Sequence, residues 1–306
     1  MRESLRERTL LIAGPTASGK SALALALARR IDAVIVNADS MQVYRDLRVL
    51  TARPTPEDEA AAPHRLFGFV DASENYSVGR WLVDVERLLG ELTRERRPAI
   101  LVGGTGLYFK VLVRGLSDIP TVPGSVRRAV REAAAGESPA ALHARLAVCD
   151  PQTAERVRPT DPQRILRALE IHAATGRSLA SFQEHRAAPV LAPGAWRGVF
   201  LSPERAVLRA RIEERFDTMI ASGALEEARA LAERGLDPDL PAMRAHGAPA
   251  LIAALRGEIS LEEAIERGKR DTRRYVKRQC TFARNQLPEF EELAPEIAQD
   301  KLMETA

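Results

Sequence analysis

The sequence predicts an α/β fold: a phosphate-loop parallel sheet core flanked by helices, with a mostly helical insertion domain. Short apolar runs alternate with helical patterns over the first hundred residues, as in parallel strands joined by crossover helices. A Gly-x-x-x-x-Gly-Lys-Ser motif directly follows the first apolar run. From about Leu116, prolines and glycines interrupt the chain and helical patterns replace the alternation.

The spacing of apolar residues predicts each element in turn. Strands are expected at 10–13, 33–36, 66–70, 98–102 and 199–201. Helices are expected at 21–30, 78–95, 126–146 and 162–175, and the chain from 204 to 286 is helical in pattern. We therefore expect a core of residues 1–115 and 196–306, and a helical insertion of residues 116–195. Because ligands bind at the carboxyl ends of parallel strands, Gly14, Asp39 and Gly103 should converge.

Composition restricts the class of protein. Apolar residues make up 45% of the 306-residue chain and the net charge is +3, which is typical of a globular protein of about two domains. Cys149 and Cys280 are too far apart for a paired metal or redox motif, and the histidines, including His185, show no metal-ligand spacing. No apolar run approaches the roughly 18 residues of a membrane helix. We expect a cytoplasmic monomer with reduced thiols and no membrane contact.

The glycine-rich motif predicts a phosphate site. Its glycines allow the backbone to wrap around phosphate oxygens, and its N–H groups and the following helix N-terminus attract an anion. Lys20 adds a cation, and the Ser21 hydroxyl can coordinate Mg²⁺. Such loops mostly bind ATP or GTP, although a diphosphate that leaves without nucleotide hydrolysis fits equally. The predicted phosphate-binding residues are Gly14, Pro15, Thr16, Ala17, Ser18, Gly19, Lys20 and Ser21.

Two further segments follow strand ends. Asp39 comes after the second strand, where it can help to hold Mg²⁺, act as a general base, or simply cap the next turn. Gly103 and Gly104 end a later strand where many phosphate-loop NTPases place an acidic residue, and Thr105 adds a hydroxyl. The glycines allow close approach of a ligand or of backbone, or form a tight turn.

Two clusters of basic residues lie in the C-terminal part. Arg270, Arg273, Arg274 and Lys277 share one helix face, which suits either a nucleic-acid backbone or a solvated surface. Arg211 and Arg215 share another face, from which they can clamp a diphosphate or pair with the adjacent Glu213 and Glu214.

Together these motifs resemble the bacterial type of the tRNA dimethylallyltransferase (tRNA isopentenyltransferase) family. The similar segments are 14–21, 37–45, 51–54, 63–66, 103–108, 161–170 and 277–279. The resemblance implies transfer of the dimethylallyl group of dimethylallyl diphosphate to N6 of the adenosine on the 3′ side of a tRNA anticodon, with Mg²⁺ as cofactor. It implies that Asp39, Thr105 and Lys20 are catalytic, and that Arg211 and Arg215 assist the diphosphate.

The expected tRNA-binding residues contact the anticodon stem-loop. All but the last three, which come from the basic helix face, are implied by the resemblance. They are Asp39, Ser40, Met41, Gln42, Thr105, Arg127, Gln163, Arg164, Ile165, Leu166, Arg167, Arg244, Ala245, His246, Gly247, Ala248, Pro249, Arg273, Arg274 and Lys277.

The chain departs from the family pattern at two positions. Ala248 stands where many members have an aromatic residue, and Leu50 stands where many have glycine.

Three other functions stay open: a small-molecule kinase, a non-enzymatic RNA-binding protein, and an isopentenyltransferase that modifies free AMP or ADP. ATP turnover would favour the kinase. RNA binding that is insensitive to replacement of Asp39 would favour the RNA-binding protein, and transfer of a labelled prenyl group to AMP would favour the free-nucleotide enzyme.

Overall fold

The computed structural model describes residues 8–184 and 186–305. The described residues up to Val113 and from Val190 onward form one compact unit, and those of Arg114–Pro189 form a second. The predicted core also includes residues 1–7 and 306, and the predicted insertion includes His185; these lie outside the described residues.

A six-stranded parallel sheet is the centre of the first unit, as far as the described residues extend. The strand order is β3-β2-β4-β1-β5-β6. The strands are β1 (Thr9–Ala13), β2 (Val34–Asn37), β3 (His64–Arg65), β4 (Ala99–Gly103), β5 (Trp196–Leu201) and β6 (Glu291–Leu293). Their carboxyl ends lie at one edge, so the loops after β1, β2 and β4 lie side by side. The predicted α/β fold class is confirmed.

Helices belong to the same unit as this sheet, and most of them bury apolar side chains. They are α1 (Lys20–Ile31), α2 (Pro56–Ala61), α3 (Val78–Arg94), α4 (Gly106–Arg114), α10 (Arg205–Ala221), α11 (Ala224–Glu233), α12 (Ala248–Leu255), α13 (Leu261–Gln286) and α14 (Pro295–Met303), with a 3₁₀ turn at Ala242–Arg244. Leu23, Leu27 and Ile31 on α1 belong to one apolar cluster with Ile12 and Ile100 of the sheet. The buried strands read as continuous apolar runs, as expected of parallel sheets covered on both faces.

The second unit is helical. Its helices are α5 (Gly124–Ala133), α6 (Pro139–Cys149), α7 (Pro151–Ala154), α8 (Pro162–Thr175) and α9 (Leu179–Gln183). Leu146, Ile165 and Ile171 lie at the centre of its own apolar core. The predicted helix at 162–175 is observed with the same bounds.

Two sequence predictions are wrong in detail. The short third strand lies at His64–Arg65 rather than 66–70, because Leu66 and Gly68 adopt left-handed φ angles of 63° and 57° that end the extended chain. The expected helix 126–146 is two helices, because Gly136 turns at φ 79° and Ser138 begins a new helix ahead of Pro139. Among the described residues, no helix is both long and apolar enough to cross a bilayer.

Candidate active site

The phosphate loop connects β1 to α1 and has room only for glycine at its first position. A Cβ on Gly14 would lie 2.7 Å from Ser18 Oγ and 3.2 Å from Leu201. Ala17 and Gly19 adopt left-handed φ angles of 65° and 85°, which curl the backbone around the loop interior. The buried Ser18 hydroxyl has no hydrogen-bond partner among the described residues, so it is available to an oxyanion.

Lys20 begins α1 and its ammonium group reaches back over the loop. Its Nζ donates to the Pro15 carbonyl at 3.2 Å. Burial, reinforced by the Arg215 guanidinium and opposed by the Asp39 carboxylate, lowers the pKa of Lys20 to about 8. A nearby anion would reverse this effect, so the site is electrostatically prepared for a negatively charged ligand.

Arg215 on α10 is the second cation of the site. Burial lowers the pKa of its guanidinium, and Asp39 opposes that shift. Its Nε is buried without a hydrogen-bond partner among the described residues. Arg211, one turn earlier, is exposed and does not line the cavity that contains Arg215. The structure therefore separates the two arginines that the sequence paired as a clamp.

Asp39 is held by its own loop. The fully buried Asn37 accepts from the Asp39 N–H at 2.8 Å and donates to the Asp39 carbonyl at 2.9 Å. The Asn37 carbonyl in turn accepts from Trp81 Nε1 at 2.9 Å. Asp39 Oδ1 accepts from the Met41 N–H at 3.0 Å, which leaves Oδ2 directed toward Gly104. The carboxylate thus has one oxygen fixed by backbone and a second oxygen available for chemistry.

The turn after β4 packs against the Asp39 loop. A Cβ on Gly103 would lie 2.0 Å from the Ala38 carbonyl oxygen, so no acidic residue fits at the end of this strand. Thr105 N donates to that carbonyl at 3.3 Å. Thr105 Oγ1 accepts from the Ser40 N–H at 2.9 Å. Thr105 therefore fixes the Asp39 loop as well as presenting a hydroxyl at the site.

Helix α13 closes the site with two side chains that the sequence did not single out as functional. The Gln279 amide donates to the Gly104 carbonyl at 2.9 Å and accepts from the Thr16 N–H at 3.1 Å. Tyr275 lies one turn earlier, with its hydroxyl near Thr105 and Gln279, and burial raises its pKa. The sequence spacing could have identified this inner face of the helix. Tyr275, Gln279 and Phe282 recur at i, i+4 and i+7, on the side away from the basic residues.

One narrow cavity joins these elements. His246 packs against Tyr275 with ring centroids 4.4 Å apart, and burial lowers the pKa of His246. Its lining combines polar side chains, Asp39 and Arg215 among them, with apolar side chains of α10. Its lining residues are Thr16, Asp39, Met41, Leu50, Thr51, Ile212, Arg215, Phe216, Met219, His246, Thr272 and Tyr275.

The predicted basic face of α13 is partly neutralised. Arg273 pairs with Glu213 of α10, and Arg274 pairs with Asp271 at 3.5 Å. Lys277 is exposed and lines a second, larger cavity of about 640 Å³ between α10 and α13. Arg270, Arg274 and Lys277 are exposed and thus remain the solvent-facing cations of this face.

The predicted contacts of the helical unit divide into surface and core. Arg127 and Arg167, forty residues apart in sequence, both approach the buried carboxylate of Glu170, at 3.9 Å and 3.6 Å, and Arg131 joins them at 3.0 Å. Gln163 and Arg164 are exposed and Leu166 is partly buried. Ile165 is fully buried in the core of this unit, so its side chain is not available to an RNA.

The predicted segment Arg244–Pro249 is mostly structural. Ala245 and Ala248 are buried, which withdraws both side chains from any ligand. Arg244 pairs with Asp239. Gly247, at φ 93°, lets the Phe216 ring approach to 3.1 Å from where a Cβ would stand. Within this segment, His246 lines the cavity.

Gln42, another of the predicted tRNA-binding residues, is engaged within its own loop. Its amide nitrogen donates to the Thr51 and Ala52 carbonyls at 2.9 Å and 3.0 Å.

The oxygen donors of the site suit a metal ion that is coordinated mainly by the phosphate oxygens of a bound substrate. In the described part of the chain, no three acidic, histidine or cysteine side chains cluster as a metal cage. Ser21 is exposed on the first turn of α1 beside Lys20, and its hydroxyl is a hard oxygen donor. Mg²⁺ commonly retains waters and is bound through one or two protein oxygens plus phosphate oxygens, so this sparse set fits.

Comparison with known proteins agrees with the motifs. The family model described as IPP transferase matches residues 42–286, and the isopentenyl transferase model matches residues 7–67. A tRNA dimethylallyltransferase of Methylocella silvestris is 60% identical over 281 residues, covering 92% of this chain and 93% of that protein. One of Beijerinckia indica is 60% identical over 290 residues, covering 95% and 96%.

Solved structures show the same fold. The full-length tRNA isopentenylpyrophosphate transferase of Bacillus halodurans is 33% identical with a TM-score of 0.67, covering 98% of each chain. A eukaryotic dimethylallyltransferase acting on tRNA is 26% identical with a TM-score of 0.78, covering 94% of this chain and 74% of that one.

Proposed function

The chain belongs to the IPP transferase family, and we propose that its site transfers the dimethylallyl group of dimethylallyl diphosphate to N6 of the adenosine on the 3′ side of a tRNA anticodon. The observation that carries this proposal is the meeting of Asp39, Lys20 and Arg215 beside the phosphate loop. A general base beside an anion-binding site suits displacement of a diphosphate by an amine.

In the reaction, the N6 nitrogen bonds to the allylic carbon while the bond from that carbon to the diphosphate oxygen breaks. The N6 lone pair is delocalised into the adenine ring, so removal of its proton assists attack. Asp39 Oδ2 accepts this proton, because Oδ1 already accepts from the Met41 N–H. Thr105, held against Ser40, orients the amine by hydrogen bonding.

The departing diphosphate is stabilised by the loop N–H groups, the Ser18 hydroxyl, Lys20 and Arg215. Ser21 would hold Mg²⁺, which when bound supplies further charge stabilisation to the diphosphate oxygens. No water has to be activated against a phosphate, and this is consistent with the absence of an acidic residue after β4, where Gly103 contacts Ala38.

The acceptor adenosine leaves its stack to enter the cavity, as in other enzymes that modify bases. His246 and Tyr275 offer aromatic faces to the base there. The exposed cations Arg274 and Lys277 of α13, and the arginines around Glu170 in the helical unit, suit the phosphates of the anticodon stem-loop. We place the protein in the cytoplasm with tRNA, as a monomer.

Single-turnover transfer tests the proposal. The protein is mixed with Mg²⁺, labelled dimethylallyl diphosphate and unmodified tRNA with adenosine 3′ of the anticodon, with AMP and ATP in parallel reactions. Label on tRNA alone is expected. Label on AMP would assign a free-nucleotide acceptor, and ATP consumption without label transfer would assign a kinase.

A further inference from the structure

Gln279 connects two loops of the active site through one buried side chain. It lies on α13 and is 6% exposed. Its Oε1 accepts from the Thr16 N–H of the phosphate loop, and its Nε2 donates to the Gly104 carbonyl of the turn after β4. A flipped amide would place oxygen against a carbonyl and nitrogen against an N–H, so the hydrogen bonds define its orientation.

The connection continues from Gly104 to the general base. Gly104 precedes Thr105, whose hydroxyl accepts from the Ser40 N–H, and Ser40 follows Asp39. A chain of short polar contacts thus runs from Thr16, through Gln279 and Thr105, to the loop of Asp39. In the proposed function, one end of this chain lies at the loop that receives the diphosphate, and the other end lies at the loop of Asp39, the proposed base.

Helix α13 packs closely against the turn after β4. A Cβ on Gly104 would lie 2.2 Å from Gln279 Nε2 and 3.2 Å from Asp39 Oδ2, so the amide and the carboxylate both approach this glycine. One turn further along α13, the Phe282 ring would lie 2.4 Å from a Cβ on Gly106. The glycines of the turn therefore admit α13 close enough for Gln279 to reach both loops.

We propose that Gln279 is a positioning residue for prenyl transfer: its amide fixes the distance between the phosphate loop and the Asp39 loop, so that the leaving group and the general base act on the same bond. This inference rests on the proposed function. Misplacement of reacting groups by about 1 Å can lower a rate by about a hundredfold, whereas binding of each substrate alone depends less on that distance.

The first test replaces Gln279 by methionine, which has similar volume but no amide. With saturating donor and tRNA, the single-turnover rate of Gln279→Met should fall between roughly tenfold and a hundredfold. The dissociation constants of inorganic pyrophosphate and of tRNA should change by less than about threefold. Gln286 on the same helix, whose Oε1 accepts from Lys110 Nζ at 2.7 Å, provides the matched control Gln286→Met, with a rate near that of the unmodified chain.

The second test is Gln279→Glu, which separates positioning from general support of the fold. An ionised carboxylate can accept from the Thr16 N–H but faces the Gly104 carbonyl with an oxygen, whereas a protonated carboxyl can donate to that carbonyl. Burial favours the protonated form. The rate of Gln279→Glu relative to the unmodified chain should therefore rise as the pH is lowered from about 8 to about 6.

The outcomes distinguish the two proposals. If the unmodified chain transfers no label to tRNA, the proposed function fails. If it does transfer label, but Gln279→Met transfers at an unchanged rate, the positioning role is overturned. A loss of pyrophosphate binding as large as the loss of rate, or a relative pH profile of Gln279→Glu that is flat, would likewise overturn it.

Discussion

The low pKa of Lys20 makes a quantitative prediction about diphosphate binding. Its value of about 8 lies below the ordinary 10.5 because the ammonium is buried beside Arg215. A bound diphosphate supplies the opposite charge and stabilises the ammonium, so the pKa rises when the site fills. Affinity should then be fully present below about pH 8 and decline as the pH rises through that value.

The magnitude follows from the fraction of Lys20 that is protonated in the empty site. With a pKa of about 8, that fraction is about 0.9 at pH 7 and about 0.09 at pH 9. If the filled site keeps Lys20 protonated over this range, the dissociation constant for pyrophosphate should increase roughly tenfold. The shift from 10.5 to about 8 corresponds to about 3 kcal/mol of electrostatic cost that an anion can relieve.

Titration calorimetry with inorganic pyrophosphate and Mg²⁺ at about pH 7 and about pH 9 measures this change. Pyrophosphate itself ionises over this range, so the informative quantity is a ratio between the unmodified chain and Lys20→Arg, whose guanidinium stays charged. Relative to Lys20→Arg, the unmodified chain should lose about tenfold in affinity. Equal losses in the two proteins would refute the role assigned to the Lys20 charge.

Three further predictions concern other parts of the chain. Asp39→Asn should lower the single-turnover rate by about a hundredfold or more with tRNA affinity retained, and near-normal turnover would remove Asp39 from the mechanism. Arg274→Ala with Lys277→Ala should weaken tRNA binding and flatten its salt dependence in a filter-binding titration. Arg267→Ala should do less, because the ion pair of Arg267 with Glu263, at 2.6 Å, is shorter than that of Arg274 with Asp271, at 3.5 Å. Equal salt slopes would count against this face. Glu170→Gln should lower the free energy of unfolding by about 2 kcal/mol in urea, less than for a fully buried pair because the three arginines are partly solvated, and an unchanged midpoint would show that the cluster adds no stability.

The sequence could predict the elements that depend on local pattern. The phosphate loop is recognisable because its function requires a fixed spacing of glycines, lysine and serine between a strand and a helix. The helix at 162–175 was predicted with its observed bounds, since Asp161 caps it, Pro162 begins it and Gly176 ends it. Asp39 and Gly103 could be expected at one edge because parallel strands place their carboxyl ends together.

Long-range contacts could not be predicted in the same way. Their spacing places the α10 arginines on one helix face and suggests a clamp, yet only Arg215 lines the cavity, and Arg211, one turn earlier, is exposed to solvent. Glu213, expected as a partner for those arginines, pairs instead with Arg273 of α13. Spacing on one helix defines neighbours on that helix, whereas charge partners on a second helix depend on how the two pack.

Helix α13 illustrates why this limit matters for function. Its charge pattern is conspicuous in the sequence and points outward, where Arg274 and Lys277 meet solvent. Its inner face carries Tyr275 and Gln279, which are ordinary residues for a partly buried helix. The role of Gln279 becomes visible only in the structure, where it contacts Thr16 and Gly104. The two faces of α13 therefore make different contacts: the outer face is open to solvent, and the inner face holds the two loops. We therefore expect substitutions on the outer face to affect mainly tRNA affinity, and those on the inner face to affect mainly the rate of transfer.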